Sequence, residues 1–172
     1  MKAGIMLGQL SDRGNEGALV RTAEALGISD VHYVTEDKDV FIPQDPSGGA
    51  NRHVDVHEYD SYTEFGRQTT ADNHEIVCVT NVGETTPLHE MDADDWPTNP
   101  IFVVGRESGG FTSRTDTQSE SEGNESEAIP HDVRVHSTTM VEIPLSTHGY
   151  VRCLNAAVAG AIVMEDWHES LL

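Results

Sequence analysis

The sequence predicts an α/β domain: a mostly parallel sheet flanked by helices. Three observations carry that prediction. Short apolar runs of strand length alternate with helical patterns along the whole chain. A strand, a helix and a second strand fit within the first 35 residues, which makes a βαβ unit and hence a parallel pair. At 172 residues the chain is long enough to bury one core without disulfides or metals.

Taken in order, residues 3–7 (AGIML) read as a short buried strand. A loop follows, with Asn15 as the expected N-cap of a helix over 16–26 that places Leu19, Ala23 and Leu26 on one face. Gly27 is expected to end it in a left-handed cap. Residues 30–35 form the second strand. Residues 36–60 read as irregular, with Pro43, Pro46 and the stretch SGGAN, apart from a short strand at 54–59. A weak helix is expected over 61–71, then buried strands at 75–80 and 100–105. Between them, the stretch after Asn81 reads as loop with about one helical turn. Residues 114–128 are rich in Ser, Glu and Thr and read as a disordered or mobile acidic insertion. A strand at 140–145 and a helix from about 152 to 169 complete the chain. That helix carries an apolar stripe of Val158, Ile162, Val163 and Trp167. Its small residues, Ala156, Ala157, Ala159, Gly160 and Ala161, admit a close neighbour.

Acidic residues number 30 against 10 basic ones, a formal net charge of −20, and only Lys2 and Lys38 among the cations are lysines. The acids are spread along the whole chain, which favours adaptation of the surface to a salt-rich cytoplasm over one basic or membrane-surface partner. At about 1 M salt the Debye length is about 3 Å, so carboxylate repulsion is largely screened. Cys78 sits in an apolar run and Cys153 stands alone, which gives neither a zinc site nor a disulfide framework. That fits a reducing cytoplasm. No run is long enough for a signal peptide or a membrane span.

The stretch IFVVGRESGGF at 101–111 drives a buried strand into a glycine loop holding an Arg-Glu pair. It is not a P-loop, because no Lys-Ser or Lys-Thr pair occurs, and its spacing and late position do not fit a dinucleotide fingerprint. Glu107 alone is too few ligands for a metal, so no metal site is expected. A strand-ending turn with a surface ion pair and a ligand loop both stay open on these residues. Two other stretches bear on the choice. In NEGALVRTAEALG (15–27), Arg21 stands over the small residues Gly17 and Ala18. In IPLSTHGYVRCLNAAVAGAI (143–162), a strand, a loop and an Asn-led helix start fall together. There Asn155 also reads as an ordinary first-turn residue and Cys153 as a small core hydrophobe.

Together the three stretches resemble the signature motifs of the SpoU/TrmH family of RNA ribose 2′-O-methyltransferases, within the SPOUT superfamily. NEGALVRTA resembles the first motif, VVGRESGGF the second (usually G-N-E-x-x-G-L), and IPL…GYVRCLNAAVA the third (usually I-P-M…S-L-N-V-S-V-A). Each alone is weakly specific; the three in order, each at a strand end or helix start, are specific. The similarity runs from about residue 3 to 168.

The resemblance implies a C-terminal trefoil knot and S-adenosylmethionine as cofactor, with S-adenosylhomocysteine as product. It implies cofactor contacts at Asn81, Gly105, Gly109, Ile143, Leu145, Cys153 and Leu154. The catalytic group would be Arg21, Asn15, Glu107 and Asn155, with Arg21 reaching into the site of the partner subunit of a homodimer. Arg13, Arg106 and Arg152 would contact RNA. The first motif begins by residue 15, so no N-terminal RNA-binding domain is expected. RNA would bind to the catalytic dimer or through a helper protein, with tRNA expected before rRNA, and no membrane partner is expected. The chain departs from the family pattern where Arg106 replaces the usual Asn and Cys153 the usual Ser. Two extra residues lie between Pro144 and Gly149, and the acidic insertion lengthens the gap between the second and third motifs. The competing readings are a catalytically silent module that binds cofactor or RNA, and an unrelated flavodoxin-like nucleotide binder.

Overall fold

The computed structural model describes residues 2–7, 10, 12–35, 42, 44–105, 129–149 and 153–172. In chain order the elements are β1 (Gly4–Leu7), α1 (Arg13–Ala25), β2 (Asp30–Val34), α2 (Gln44–Ser47), β3 (Asp55–Tyr59), α3 (Tyr62–Ala71), β4 (Glu75–Val79), β5 (Thr86–Pro87), β6 (Pro100–Val104), α4 (His131–Arg134), β7 (Ser137–Glu142) and α5 (Ala156–Glu169). The strands form one seven-stranded sheet in the order β3-β2-β1-β6-β4-β7-β5. Every pairing among the described strands is parallel.

Parallel strands buried on both faces read as unbroken apolar runs, and those of β1, β4 and β6 do. Alternation then sorts them into two cores. Leu7, Val31, Tyr33, Val77, Phe102 and Val104 pack with Leu19, Val20 and Ala23 of α1 and Val163, Met164 and Trp167 of α5. Met6, Val34, Ile76, Cys78, Ile101 and Val103 pack with Tyr62 and Phe65 of α3 and Val133 of α4. Burial pushes the Cys78 thiol up to about 11, in keeping with a small core hydrophobe.

Several boundaries differ from expectation for local reasons. Helix α1 starts at Arg13, because the Asp12 carboxylate accepts from Gly14 N at 2.7 Å and caps it; Asn15 therefore lies inside the first turn. At its other end Gly27 (φ 77°) does make the expected left-handed cap, with Gly27 N bonded to Glu24 O and Ile28 N to Ala23 O. Helix α5 starts at Ala156, capped by Asn155, and not near 152. Its inward stripe is Ala156, Gly160, Val163, Met164 and Trp167, while Val158 and Ile162 face outward. Strand β7 spans 137–142, not 140–145, because its ladder partner β4 engages it from Ser137. The stretch read as irregular holds α2 and a 3-10 turn (Ala50–Arg52). The acidic insertion lies outside the described residues.

One buried polar group sits deep in the second core. The His32 ring of β2 shares a hydrogen bond with the Tyr59 hydroxyl at 2.8 Å, stacks on His57 at 4.9 Å and meets His74 edge-on at 5.8 Å. Its Nε2 has no hydrogen-bond partner. Gly4 on the neighbouring strand makes the room, since a Cβ there would lie 2.8 Å from the ring. Burial, then the nearby His57 and His74, hold its pKa down to about 3 from 6.5. Below pH 6.5 the unfolded chain therefore takes up a proton that the folded chain refuses, and stability falls as pH falls. Between pH 6.5 and pH 5 this group alone is expected to remove about 2 kcal/mol of unfolding free energy. Urea unfolding across that range checks it: His32→Leu, whatever its absolute stability, should show a pH slope shallower by about one proton.

Candidate active site

Chain direction fixes where a site can form. From β1 the chain proceeds to β2 and β3 on one side; from the adjacent β6 it proceeds to β7 on the other. Their carboxyl ends thus flank the switch point at which open α/β sheets bind ligands. Beyond the strands the ladder continues: Gly105 N donates to Val79 O at 3.4 Å, and Thr80 N to Val141 O at 2.9 Å. This sets Gly105, Asn81 and Ile143 at neighbouring strand ends. Asn81 is exposed, Ile143 is half-buried against the first core, and Leu145 remains 39% exposed.

Helix α5 brings the last segment to the same end. Gly160 is the point of contact: a Cβ there would lie 2.5 Å from Leu19 Cδ2 of α1 and 2.9 Å from Val104 Cγ2 of β6. Trp167 fixes the far end, donating from its indole N–H to Pro97 O at 3.3 Å and packing edge-on against Phe102 at 5.7 Å. So held, α5 places Asn155 over the first turn of α1. The Asn155 side-chain oxygen accepts from Ala157 N (2.9 Å) and Val158 N (3.3 Å) and caps the helix. That leaves its amide N–H to donate to Asn15 Oδ1 at 3.0 Å, across 140 residues of sequence. Cys153 is exposed and Leu154 half-buried just before the cap, which removes the core-hydrophobe reading of Cys153.

Asn15 and Arg21 do not share a face of α1. Six residues separate them, about 9 Å along the axis and about 120° around it. Asn15 turns to α5, whereas Arg21 is exposed and lies by Gly48, after α2. Arg13 is half-buried and donates to the Tyr33 hydroxyl at 3.3 Å, which in turn donates to Glu16 Oε2 at 3.4 Å. Glu16 is fully buried. Glu16, Tyr33 and Gly48 are not among the site residues expected from the sequence. A signal for Glu16 was present, since positions 16, 19, 20 and 23 form one helical stripe with a carboxylate among apolar residues. Arg106, Glu107, Gly109 and Arg152 lie outside the described residues. No group of residues suited to a metal ion occurs among the described ones. No described helix is long and apolar enough to cross a membrane.

The model of the SpoU rRNA Methylase family matches residues 2–121. The chain belongs to this family. A TrmH family tRNA/rRNA methyltransferase of Staphylococcus epidermidis is 26% identical over 170 residues, 94% of this chain and 56% of the relative. The chain thus spans little more than half of that TrmH family relative. Among solved structures, an AdoMet-bound rRNA methyltransferase from Sinorhizobium meliloti superposes with a TM-score of 0.76 at 21% identity, over 99% of this chain and 57% of that one. A structure described for 2-OH methylation of C/U34 on tRNA superposes with a TM-score of 0.71 at 21% identity, over 99% of this chain and 96% of that one. These likenesses show the same fold, a mostly parallel sheet flanked by helices.

The contact at Gly160 gives a test whose sign is opposite to helix propensity. Alanine in place of a mid-helix glycine ordinarily stabilises by up to about 1 kcal/mol. Here Gly160→Ala is expected to destabilise by about 1–3 kcal/mol, because Leu19 and Val104 must move. Chemical denaturation measures it.

Proposed function

We propose that the chain is an S-adenosylmethionine-dependent RNA 2′-O-ribose methyltransferase, acting on tRNA in preference to rRNA. The observation that carries the reading is the Asn155–Asn15 bond, which joins the first and third family motifs at the carboxyl end of the sheet. Family membership and the tRNA-directed structure spanned over nearly its whole length support it. The residue types suit the cofactor: backbone groups at the strand ends Gly105 and Ile143 would hold it, with the uncharged Asn81, Leu145, Cys153 and Leu154 around it. Gly109 would belong to the same loop. S-adenosylmethionine, when bound, supplies an electrophilic methyl group in a trefoil-knotted pocket.

The chain's own residues must align a ribose 2′-hydroxyl with that methyl and help its proton leave. Arg21 stays protonated, so its role is to hold the hydroxyl and the adjoining phosphate rather than to act as a base. Asn15, Asn155 and Glu107 orient the ribose and the guanidinium. Arg106 and Arg152 would add phosphate contacts. Arg13, tied to Tyr33 at the base of α1, is a weaker candidate for RNA.

Arg21 points away from the Asn15–Asn155 pair of its own chain, which supports service to the site of a partner subunit in a homodimer. The outward Val158 (48% exposed) and Ile162 (38%) give α5 an apolar face that such a dimer would cover. A helper protein for RNA and a salt-rich cytoplasm are part of the same proposal.

Arg21→Ala is expected to lower methyl transfer to bulk tRNA at least about hundredfold while leaving S-adenosylmethionine affinity within about twofold. Nucleoside mass spectrometry and calorimetry read the two. Cofactor binding without Arg21-dependent turnover would favour a silent binding module, a reading that the weak hydrogen-bonding Cys153 keeps in view. Mixing Arg21→Ala with Asn155→Ala chains should restore about a quarter of the activity, since half of the dimers then hold one intact site. No rescue is the outcome for an arginine that serves its own chain.

A further inference from the structure

We propose that Tyr33 and Glu16 are positioning residues for Asn15: their hydrogen bond holds the first turn of α1 at the rotation that brings Asn15 to Asn155. The inference rests on the role given to Asn15 above. Glu16 is out of place by the ordinary rules of core packing. It lies in the buried stripe of α1 with Leu19, Val20 and Ala23, and none of it is exposed. A carboxylate there carries a desolvation cost that leucine would not. Buried polar pairs often add nothing to stability that apolar packing would not, and their best-attested use is to fix a register.

The pair sits where it can set Asn15. Tyr33 is the penultimate residue of β2, opposite Leu7 at the end of β1, so it stands at the carboxyl end of the sheet, as the site does. Its hydroxyl donates to Glu16 Oε2 at 3.4 Å and accepts from Arg13 Nη1 at 3.3 Å. Arg13 and Glu16 are three positions apart on one helix face, so a single hydroxyl ties both ends of the first turn to the sheet. Phenylalanine could fill the same space and do neither. Asn15 precedes Glu16 by one residue, about 100° around the helix axis. With Glu16 turned to β2, Asn15 faces α5, where its Oδ1 accepts from Asn155 Nδ2 at 3.0 Å.

This turn gains from a brace. Gly14 and Gly17 flank Asn15 and Glu16, and glycine is a poor helix former. The Asp12 cap fixes the entry through Gly14 N. Beyond it, Tyr33 grips the turn on the sheet side and Asn155 grips it on the α5 side. The sheet side is the firmer support: β2 is paired with β1 and with β3, and Tyr33 is fully buried.

Removing both partners at once separates positioning from mere support. Glu16→Leu together with Tyr33→Phe puts apolar groups of similar shape in place of a buried polar pair, a change close to neutral for stability. Arg13 is half-buried and can turn to solvent. The double variant is expected to melt close to the parent or above it. It should lower kcat for methyl transfer about tenfold with KM for tRNA within about twofold. The Asn155 side-chain amide reports the geometry without turnover: its 15N–1H resonances should move toward their positions in Asn15→Ala. Glu16→Gln, which keeps an acceptor for the hydroxyl, should retain activity within about threefold. Ala23→Gly lies two turns further along α1; it should lower the melting temperature yet leave kcat within about twofold and the Asn155 resonances in place. If the double variant fails to fold, Tyr33→Phe alone replaces it, with a smaller shift in the same readouts. Unmoved Asn155 resonances, or an activity loss that merely follows melting temperature across the set, would overturn the proposal. Absence of methyl transfer by the parent would count against the functional reading, and the Asn155 resonances would still decide whether the pair positions Asn15.

Discussion

The site depends on one steric constraint: α5 lies this close to α1 and β6 because residue 160 has no side chain. Leu19 and Val104 occupy the space that a Cβ would need. With that contact made and Trp167 anchored to Pro97 and Phe102, both the height and the rotation of α5 are set. Its first residue then stands over the first turn of α1, and a single asparagine can both cap one helix and bond to the other. The meeting of the first and third motifs follows from close packing far more than from attraction between their polar groups. This part-buried amide hydrogen bond is worth about 1 kcal/mol net, whereas the surrounding apolar contacts are many.

The sheet also separates two polar systems that would otherwise interfere. Neighbouring residues of β2 point to opposite faces. Tyr33 faces α1 and links Arg13 to the buried Glu16, bracing the helix that carries Asn15 and Arg21. His32 faces α3, kept neutral among other rings. A buried carboxylate needs a charged or hydrogen-bonded partner, and the Arg13–Tyr33 pair supplies it. Arg13 is thereby committed to the scaffold, while Arg21 stands free of any carboxylate among the described residues. Two arginines on one helix thus differ in their freedom because of what lies opposite each.

Most of the fold was legible because buried parallel strands announce themselves as apolar runs and helices as periodic stripes. Strands β2, β3, β4 and β6 fall within a residue or two of their expected bounds. The failures have particular causes. Asp12 outcompeted Asn15 as a cap, since it sits one residue before the helix and bonds Gly14 N. Val158 and Ile162, expected in one apolar stripe with Val163 and Trp167, face outward instead, because periodicity alone cannot tell an inward stripe from an outward apolar one. The α2 segment was invisible: its prolines and glycines look like loop, and its place is set by packing against Gly17, some thirty residues away. Of the site, Asn15, Asn155, Gly105 and Ile143 could be placed from motif resemblance. The fork of Asn155 between cap and partner could not, because it depends on the depth to which α5 sinks at Gly160.

Through their hydrogen bond, Asn15 and Asn155 close the first motif onto the third as one unit. The most direct measurement is a double-mutant cycle, with Asn15→Ala and Asn155→Asp alone and together, read by the affinity for S-adenosylmethionine and by the unfolding free energy. Aspartate keeps the oxygen that caps α5 and removes the amide donor, so the cap drops out of the comparison. Coupling predicts that the double variant loses scarcely more than the worse single one, an interaction energy of about 1 kcal/mol. Losses that add independently would contradict the account.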